Sequence, residues 1–233
     1  MINIVCLKWR KKYGAEYVNN LYAGVKRNTT LDFKFHCFTD DSVGINENVI
    51  IHALPYTDIE IWWNKLYLFS DEIRIPKGGP IFYIDLDTLI TSNIDDLLSV
   101  NVDKIVMLQD FLVGLAQSCS TIASGLMAWK HGDYAYVWDE FIKDTAAAIA
   151  SVYPHGDQGW VEKCITDYKL WQEEYPHRVV SFKVHCQDGL PSDAGIVCYH
   201  SRPSIPESVT CNEKIWKFNV KPQPWVLDYW SDK

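Results

Sequence analysis

Residues Ile81–Ile84 read Ile-Phe-Tyr-Ile, an apolar run with no polar residue alternating through it. A strand with one wet face alternates apolar with polar, so an unbroken run reads as a strand buried on both faces. That is the position of a central strand in a mostly parallel sheet with helices on each side. The turn Lys77-Gly78-Gly79-Pro80 leads into the run, and Asp85-Leu86-Asp87 leaves it.

The rest of the chain alternates in keeping with that strand. Ile2–Leu7 predicts a strand followed by a polar loop, Lys8–Gly14. Val18, Leu21, Tyr22 and Val25 recur at helical spacing, and Lys26, Arg27 and Asn28 suit a helix C-terminus. Strands are predicted at Phe33–Phe38, Val49–Leu54, Lys104–Leu108, Ile122–Trp129, Val179–Val184 and Ile196–Tyr199. Helices are predicted over Ile61–Ser70, from an Asp133 cap through Val137, Phe141, Ile142, Ile149 and Val152, and from Asp157 through Tyr168. From Pro203 onward the chain is richer in proline and irregular. With no internal repeat or clear linker, residues 1–233 read as a single α/β domain, with ligands expected beyond the carboxyl ends of the strands.

Charge narrows the partners. The 233 residues carry a formal net charge of −8, which opposes a nucleic-acid footprint built from clustered lysine and arginine. An acidic protein that handles an anionic ligand needs a metal ion or local cations to offset repulsion. The seven cysteines, at 6, 37, 119, 164, 186, 198 and 211, include no CxxC pair and fit reduced thiols in the cytoplasm. His36-Cys37, His185-Cys186 and Cys198 near His200 invite a zinc reading, but Cys6, Cys37 and Cys198 lie in apolar runs where buried cysteine acts as a small hydrophobe. The N-terminus has no signal-like segment, and no apolar stretch of about 18 residues predicts a membrane span.

Asp85 and Asp87 are spaced so that both carboxylates can reach one hard cation where the strand ends. Among 20 aspartates that spacing alone carries little weight. Placed directly after the most buried strand, however, the pair would repel and lose hydration unless a cation or protons intervened. Asp95-Asp96, before Leu97-Leu98, reads instead as a capping pair. Leu7-Lys8-Trp9 and Asp40-Asp41 end the first two strands and are expected to receive a nucleobase and ribose, although Asp40-Asp41 equally suits a turn. Of the ten tryptophans and thirteen tyrosines, most must fill the core, with a few in Trp62-Trp63 and the tail Trp216 to Trp230 expected to stack on sugar rings.

The string IFYIDLDTLI resembles the strand and DxD motif of GT-A glycosyltransferases, particularly the family of glycogenin and the bacterial lipopolysaccharide galactosyltransferases. Three further stretches follow in that family's order. Ala123-Ser124-Gly125-Leu126-Met127 resembles its "NSG" strand, Asp157-Gln158 its "DQ" pair, and Tyr199-His200 its metal-binding histidine. The chain departs from the pattern where Ala123 replaces Asn, and where Ser201-Arg202-Pro203 stands in place of a glycine-containing turn before Lys-Pro-Trp.

The resemblance implies a GT-A α/β/α sandwich with a mostly parallel central sheet and a small antiparallel portion. It implies that Asp87 and His200 ligate Mn2+ or Mg2+, and that Asp85 and the adjoining Leu86 meet the metal or the donor. Lys65 matches a basic position that approaches the donor, with Lys8 and Arg202 as further rim cations. Ser124-Gly125 would let backbone approach the sugar closely, because glycine has no Cβ. Asp157-Gln158 would lie near the transferred sugar, though Asp157 is equally placed as an N-cap. The expected activity is metal-dependent transfer from a nucleotide-sugar, a UDP-hexose first, to a hydroxyl acceptor with retention. A nucleotidyltransferase attacking the α-phosphate and a non-catalytic glycan-binding module are the rival readings.

Overall fold

The computed structural model describes residues 1–56, 58–59, 61–115 and 120–231, so Cys119 lies outside it. The chain begins β1 (Ile2–Lys8), α1 (Ala15–Arg27), β2 (Phe33–Thr39), β3 (Ile50–Ala53), a 3-10 segment (Ile61–Phe69), β4 (Pro80–Ile84) and β5 (Thr88–Ile90). It continues with α2 (Asp95–Leu98), β6 (Val106–Gln109), β7 (Ile122–Lys130), α3 (Tyr136–Lys143), α4 (Thr145–Val152), α5 (Gly156–Cys164), β8 (Lys169–Leu170) and α6 (Trp171–Glu174). It closes with β9 (Val179–Ser181), α7 (Phe182–His185), β10 (Ile196–Cys198), α8 (Ile205–Ser208), β11 (Glu213–Ile215), β12 (Phe218–Val220) and α9 (Val226–Tyr229).

A seven-stranded sheet in the order β3-β2-β1-β4-β7-β6-β8 forms the centre. Only β7 runs against the others, pairing antiparallel with β4 and β6 while the remaining neighbours are parallel. The expected mostly parallel sheet with a small antiparallel portion is therefore present. β5 leaves this sheet to pair antiparallel with β10, which pairs parallel with β9, and β11 and β12 form a hairpin.

The unbroken apolar run of β4 is explained by its two faces. Ile81 and Tyr83 enter one core, with Trp63, Phe69, Met127, Trp129 and Phe141; Phe82 and Ile84 enter the other, with Ile4, Val18, Leu21, Phe35 and Leu126. The same alternation divides Val5 from Ile4 and Cys6 in β1. Helix α1 covers one face with Val18, Leu21 and Val25, while the 3-10 segment, α3, α4 and α5 cover the other. Emptying such a site, as in Phe82→Ala, typically costs about 3–5 kcal/mol.

Local chemistry corrects three sequence expectations. Ile61–Phe69 winds as a 3-10 segment rather than an α-helix with one apolar face: Trp63 through Ser70 are all buried, and Asn64 spends its side-chain amide on the Ile59 carbonyl. The long helix from Asp133 is two helices that start after Ala135. Asp144 breaks it by accepting a 3.0 Å bond from the Ala147 amide, capping α4 from a non-helical backbone. The strand expected over Val179–Val184 stops at Ser181, whose hydroxyl caps the short α7. No described helix is long and apolar enough to cross a membrane.

Candidate active site

The site forms where the chain passes from one sheet to the other. The β4–β7 ladder ends at Ile84 opposite Leu126, and the Asp85 amide adds a last bond of 2.8 Å to the Gly125 carbonyl. Three residues later β5 is already pairing with β10, Thr88 opposite Cys198, and the Tyr199 amide bonds the Asp87 carbonyl at 2.9 Å. Asp85 and Asp87 thus straddle the crossing, and β10 delivers His200 beside them. Leu86 points into the core between the two carboxylates, so any role it has toward a donor is through backbone.

Asp85, Asp87, Lys65, Ser124, Gly125, Asp157, Gln158, Leu7, Trp9 and His200 all line one cleft of about 860 Å³. Lys65 organises its floor. Its ammonium lies 3.2 Å from Asp85, 3.4 Å from Asp157 and 3.0 Å from the Ser124 hydroxyl, which itself donates to Asp157 at 2.6 Å. Burial pulls the Lys65 pKa down, but Asp157 and Asp85 outweigh it and the net shift is upward, so Lys65 stays charged. Asp157 is therefore no N-cap: its carboxylate makes no capping bond and is spent on the site.

Tyr83 donates a very short bond to Asp85, and the Lys65 ammonium stands 4.9 Å from the Tyr83 ring centre. Gly125 eases the close approach of Asp85, because a Cβ there would meet its carboxylate at a tight 3.2 Å. Gly156, at φ +67°, lets the chain pass under Trp62, whose indole nitrogen a Cβ would meet at 2.7 Å.

Asp87 is differently placed. It accepts one bond, 2.8 Å, from the Tyr13 phenol, and has no ion pair among the described residues. Burial, then the neighbouring Asp85 charge, raises its pKa to about 6. His200 is driven the other way, to about 3, by burial and then by Lys183 and His185, so its ring is neutral, the form that ligates metals. Its Nε2 meets the Ser181 hydroxyl at 2.7 Å and its ring stacks on Phe111. Among the described residues no three His, Cys, Asp or Glu groups are already drawn into metal-ligand spacing. The donor set nevertheless fits a hard divalent cation: two carboxylates, one of them without an ion pair among the described residues, and a neutral imidazole lining the same cleft.

Three expected contacts stand elsewhere. Lys8 is buried, donating to the Asp41 carbonyl at 2.9 Å, and Asp40 accepts the Arg10 amide at 2.9 Å, so both shape the loop after β1 rather than line the cleft. Arg202 is exposed and turned to Glu213 at 2.9 Å and Glu207 at 3.9 Å. Of the aromatic stretches, Trp62 lines the cleft, while Trp63 is core and Trp225 and Trp230 pack under the tail.

Several lining residues went unread in the sequence, among them Tyr13, Tyr83, Asp110 and Phe111. Asp110 had a readable signal, since it directly follows the apolar β6 as Asp85 follows β4. Burial raises its pKa, and the Leu112 amide, then Gln158, offset part of that.

By sequence the chain matches no family pattern and no curated protein. Its structure matches solved glycosyltransferases. GlyE of Streptococcus pneumoniae TIGR4 superposes with a TM-score of 0.69 at 10% identity over 99% of this chain and 61% of that one. The galactosyltransferase LgtC, solved with donor and acceptor sugar analogs, gives 0.62 at 12% identity, covering 87% of this chain and 88% of that one. The bifunctional glycosyltransferase WbbM gives 0.57 at 10% over 98% of this chain and 51% of that one. The chain thus spans about three fifths of GlyE and half of WbbM. At these identities the likeness is one of architecture: the chain has the GT-A fold of these glycosyltransferases.

Proposed function

We propose that the chain is a metal-dependent glycosyltransferase that moves a sugar, a hexose first, from a nucleotide-sugar, UDP first, to a hydroxyl acceptor with retention. The observation that carries this is the crossing itself. Asp85 and Asp87 end a doubly buried strand, share a cleft with His200, and differ in charge balance: Asp85 pairs with Lys65, whereas Asp87 has no ion pair among the described residues and feels Lys12 only at a distance. Lys8, Asp40 and Arg202, turned to loop and surface partners, are kept in this reading only as supports of the rim.

Asp85, Asp87 and His200 would hold Mn2+ or Mg2+. Bound there, the cation would stabilise, as a Lewis acid, the charge that grows on the departing diphosphate. The chain's own residues do the rest. Lys65 and Tyr83 fix the Asp85 carboxylate, Tyr13 fixes Asp87, and Gly125 leaves room for a sugar against the strand. Gln158 and Trp62 line the same cleft, where an amide and an aromatic plate suit a sugar. An inverting mechanism needs a free carboxylate as base. Asp157, the residue it would recruit, is tied to Lys65 and Ser124, which supports retention.

The test is product analysis with UDP-sugars, Mn2+ and a panel of glycosides. Release of UDP with an added sugar of unchanged anomeric configuration, lost in Asp87→Asn, is the expected result. Pyrophosphate release would favour nucleotidyl transfer. An inverted product, abolished by Asp110→Asn, would overturn the retaining assignment.

A further inference from the structure

Beyond the ends of β9 and β10 stands a lysine for which the reading above has no use. Lys183 is 7% exposed, and its ammonium bonds only the Ser201 hydroxyl, at 3.1 Å. No carboxylate pairs with it among the described residues, and its pKa is lowered by burial alone. A buried ammonium without a counter-charge is costly, and folds keep one where an anion or a reaction makes use of it.

Its position gives that anion an address. The parallel pairing of β9 with β10 sets Ser181 opposite Cys198, so the two exits, Lys183 and His200-Ser201, emerge side by side. His200 lines the cleft, follows Tyr199, which bonds Asp87, and meets Ser181, which precedes Phe182 and Lys183. His185, the third basic group here, packs edge-on to Phe111, against which His200 also stacks. Among the described residues no acidic side chain pairs with Lys183, His185 or His200. The other cations are committed elsewhere: Lys65 to Asp85 and Asp157, Arg202 to Glu207 and Glu213, Lys8 to the Asp41 segment. Lys12, the remaining cation at the cleft, is exposed and sits over the Tyr13 ring on the loop after β1.

We propose that Lys183, with the Ser201 hydroxyl beside it, binds the terminal phosphate of the donor's diphosphate; this rests on the nucleotide-sugar reading. When the bond from the sugar carbon to the phosphate oxygen breaks, the electron pair stays on that oxygen. Lys183 keeps its proton and donates a hydrogen bond to the growing charge. The chain thus supplies from the β9 exit the cation that the sequence had suggested at Arg202.

The test compares UDP, UMP and inorganic pyrophosphate by calorimetry, with and without Mn2+, on the full chain and on Lys183→Met and Lys183→Arg. Replacing a buried unpaired ammonium with a thioether of similar shape keeps the fold, and melting curves verify it. The loss of one charge-assisted hydrogen bond predicts that Lys183→Met binds UDP and pyrophosphate about ten- to a hundredfold more weakly, with UMP almost unaffected. Lys183→Arg retains most of the UDP affinity. Equal losses for UDP and UMP, or none, overturn the proposal. If the chain binds pyrophosphate but no uridine nucleotide, the donor assignment falls while Lys183 is still decided by the pyrophosphate arm; if it binds neither, both fall.

Discussion

Lys65 and Asp157 form an ion pair of 3.4 Å with only 7% and 8% of their side chains exposed, joining the 3-10 segment to α5 beneath the cleft. Taking the cation away strands the buried Asp157 carboxylate and leaves Asp85, a third exposed, without its partner. Breaking one side of a buried pair costs about 3–5 kcal/mol. Lys65→Met is therefore expected to lower unfolding stability by about that much in urea titrations. The double variant Lys65→Met/Asp157→Asn should recover at least about 1 kcal/mol of the loss. Additive losses would show that the two do not act as a unit.

Asp87 illustrates a site kept at the expense of stability. Its carboxylate, raised to about 6 by burial and by Asp85, is disfavoured in the folded chain at neutral pH. Asn in its place removes that charge and can still accept the Tyr13 bond. At pH 7.5 with EDTA, Asp87→Asn should be more stable than the parent by about 1–2 kcal/mol in denaturant melts. A less stable variant would mean that the burial of Asp87 is already compensated.

Acid sensitivity should come in part from the opposite edge of the sheet. His36 lies 2.9 Å from His52 and 3.3 Å from the Asn3 side chain, and burial, then His52 and Lys34, lowers its pKa to about 4. The unfolded chain, with a value near 6.5, binds the proton first. The contribution of His36 is thus complete above about pH 6.5 and is lost as pH falls toward 4, up to about 3 kcal/mol across the window. Asp87 slopes the other way, so the measurement is the difference between the parent and His36→Gln in urea melts from pH 4 to 7. His36→Gln should flatten the acid limb; parallel curves would rule His36 out.

Arg202→Ala should change little. An exposed arginine paired with two surface glutamates contributes about 0–1 kcal/mol to stability. Affinity for UDP with Mn2+ should stay within about twofold, and a larger loss would mean that the loop from Ser201 turns inward when the nucleotide binds.

Much of this fold was written in local patterns. The doubly buried run Ile81–Ile84 pointed to a strand covered on both faces, because such a strand dispenses with alternation, and the strand–helix alternation around it pointed to a mostly parallel sheet. The carboxylates after it were legible for the same reason: Asp85 and Asp87 had nowhere to go but the rim. Other features depended on partners far along the chain. Helix breaking at Asp144 turned on one side-chain bond to the Ala147 amide, a competition that hydrophobic spacing does not register. Asp157 fitted a cap and a site equally well until Lys65 and Ser124 came within reach. Asp110 was overlooked although it follows β6 much as Asp85 follows β4.

The sequence by itself determined the α/β class, the central strand and the position of its acidic exit, because burial on both faces leaves an unbroken apolar run that needs no partner to be read. The tertiary structure decided which charges meet. It turned Arg202 outward, set Lys65 between Asp85 and Asp157, left Asp87 without an ion pair among the described residues, and brought Lys183 beside His200 through the β9–β10 pairing. Charge balance in a cleft depends on distances of a few ångströms between segments remote in sequence, and only the packed chain fixes those.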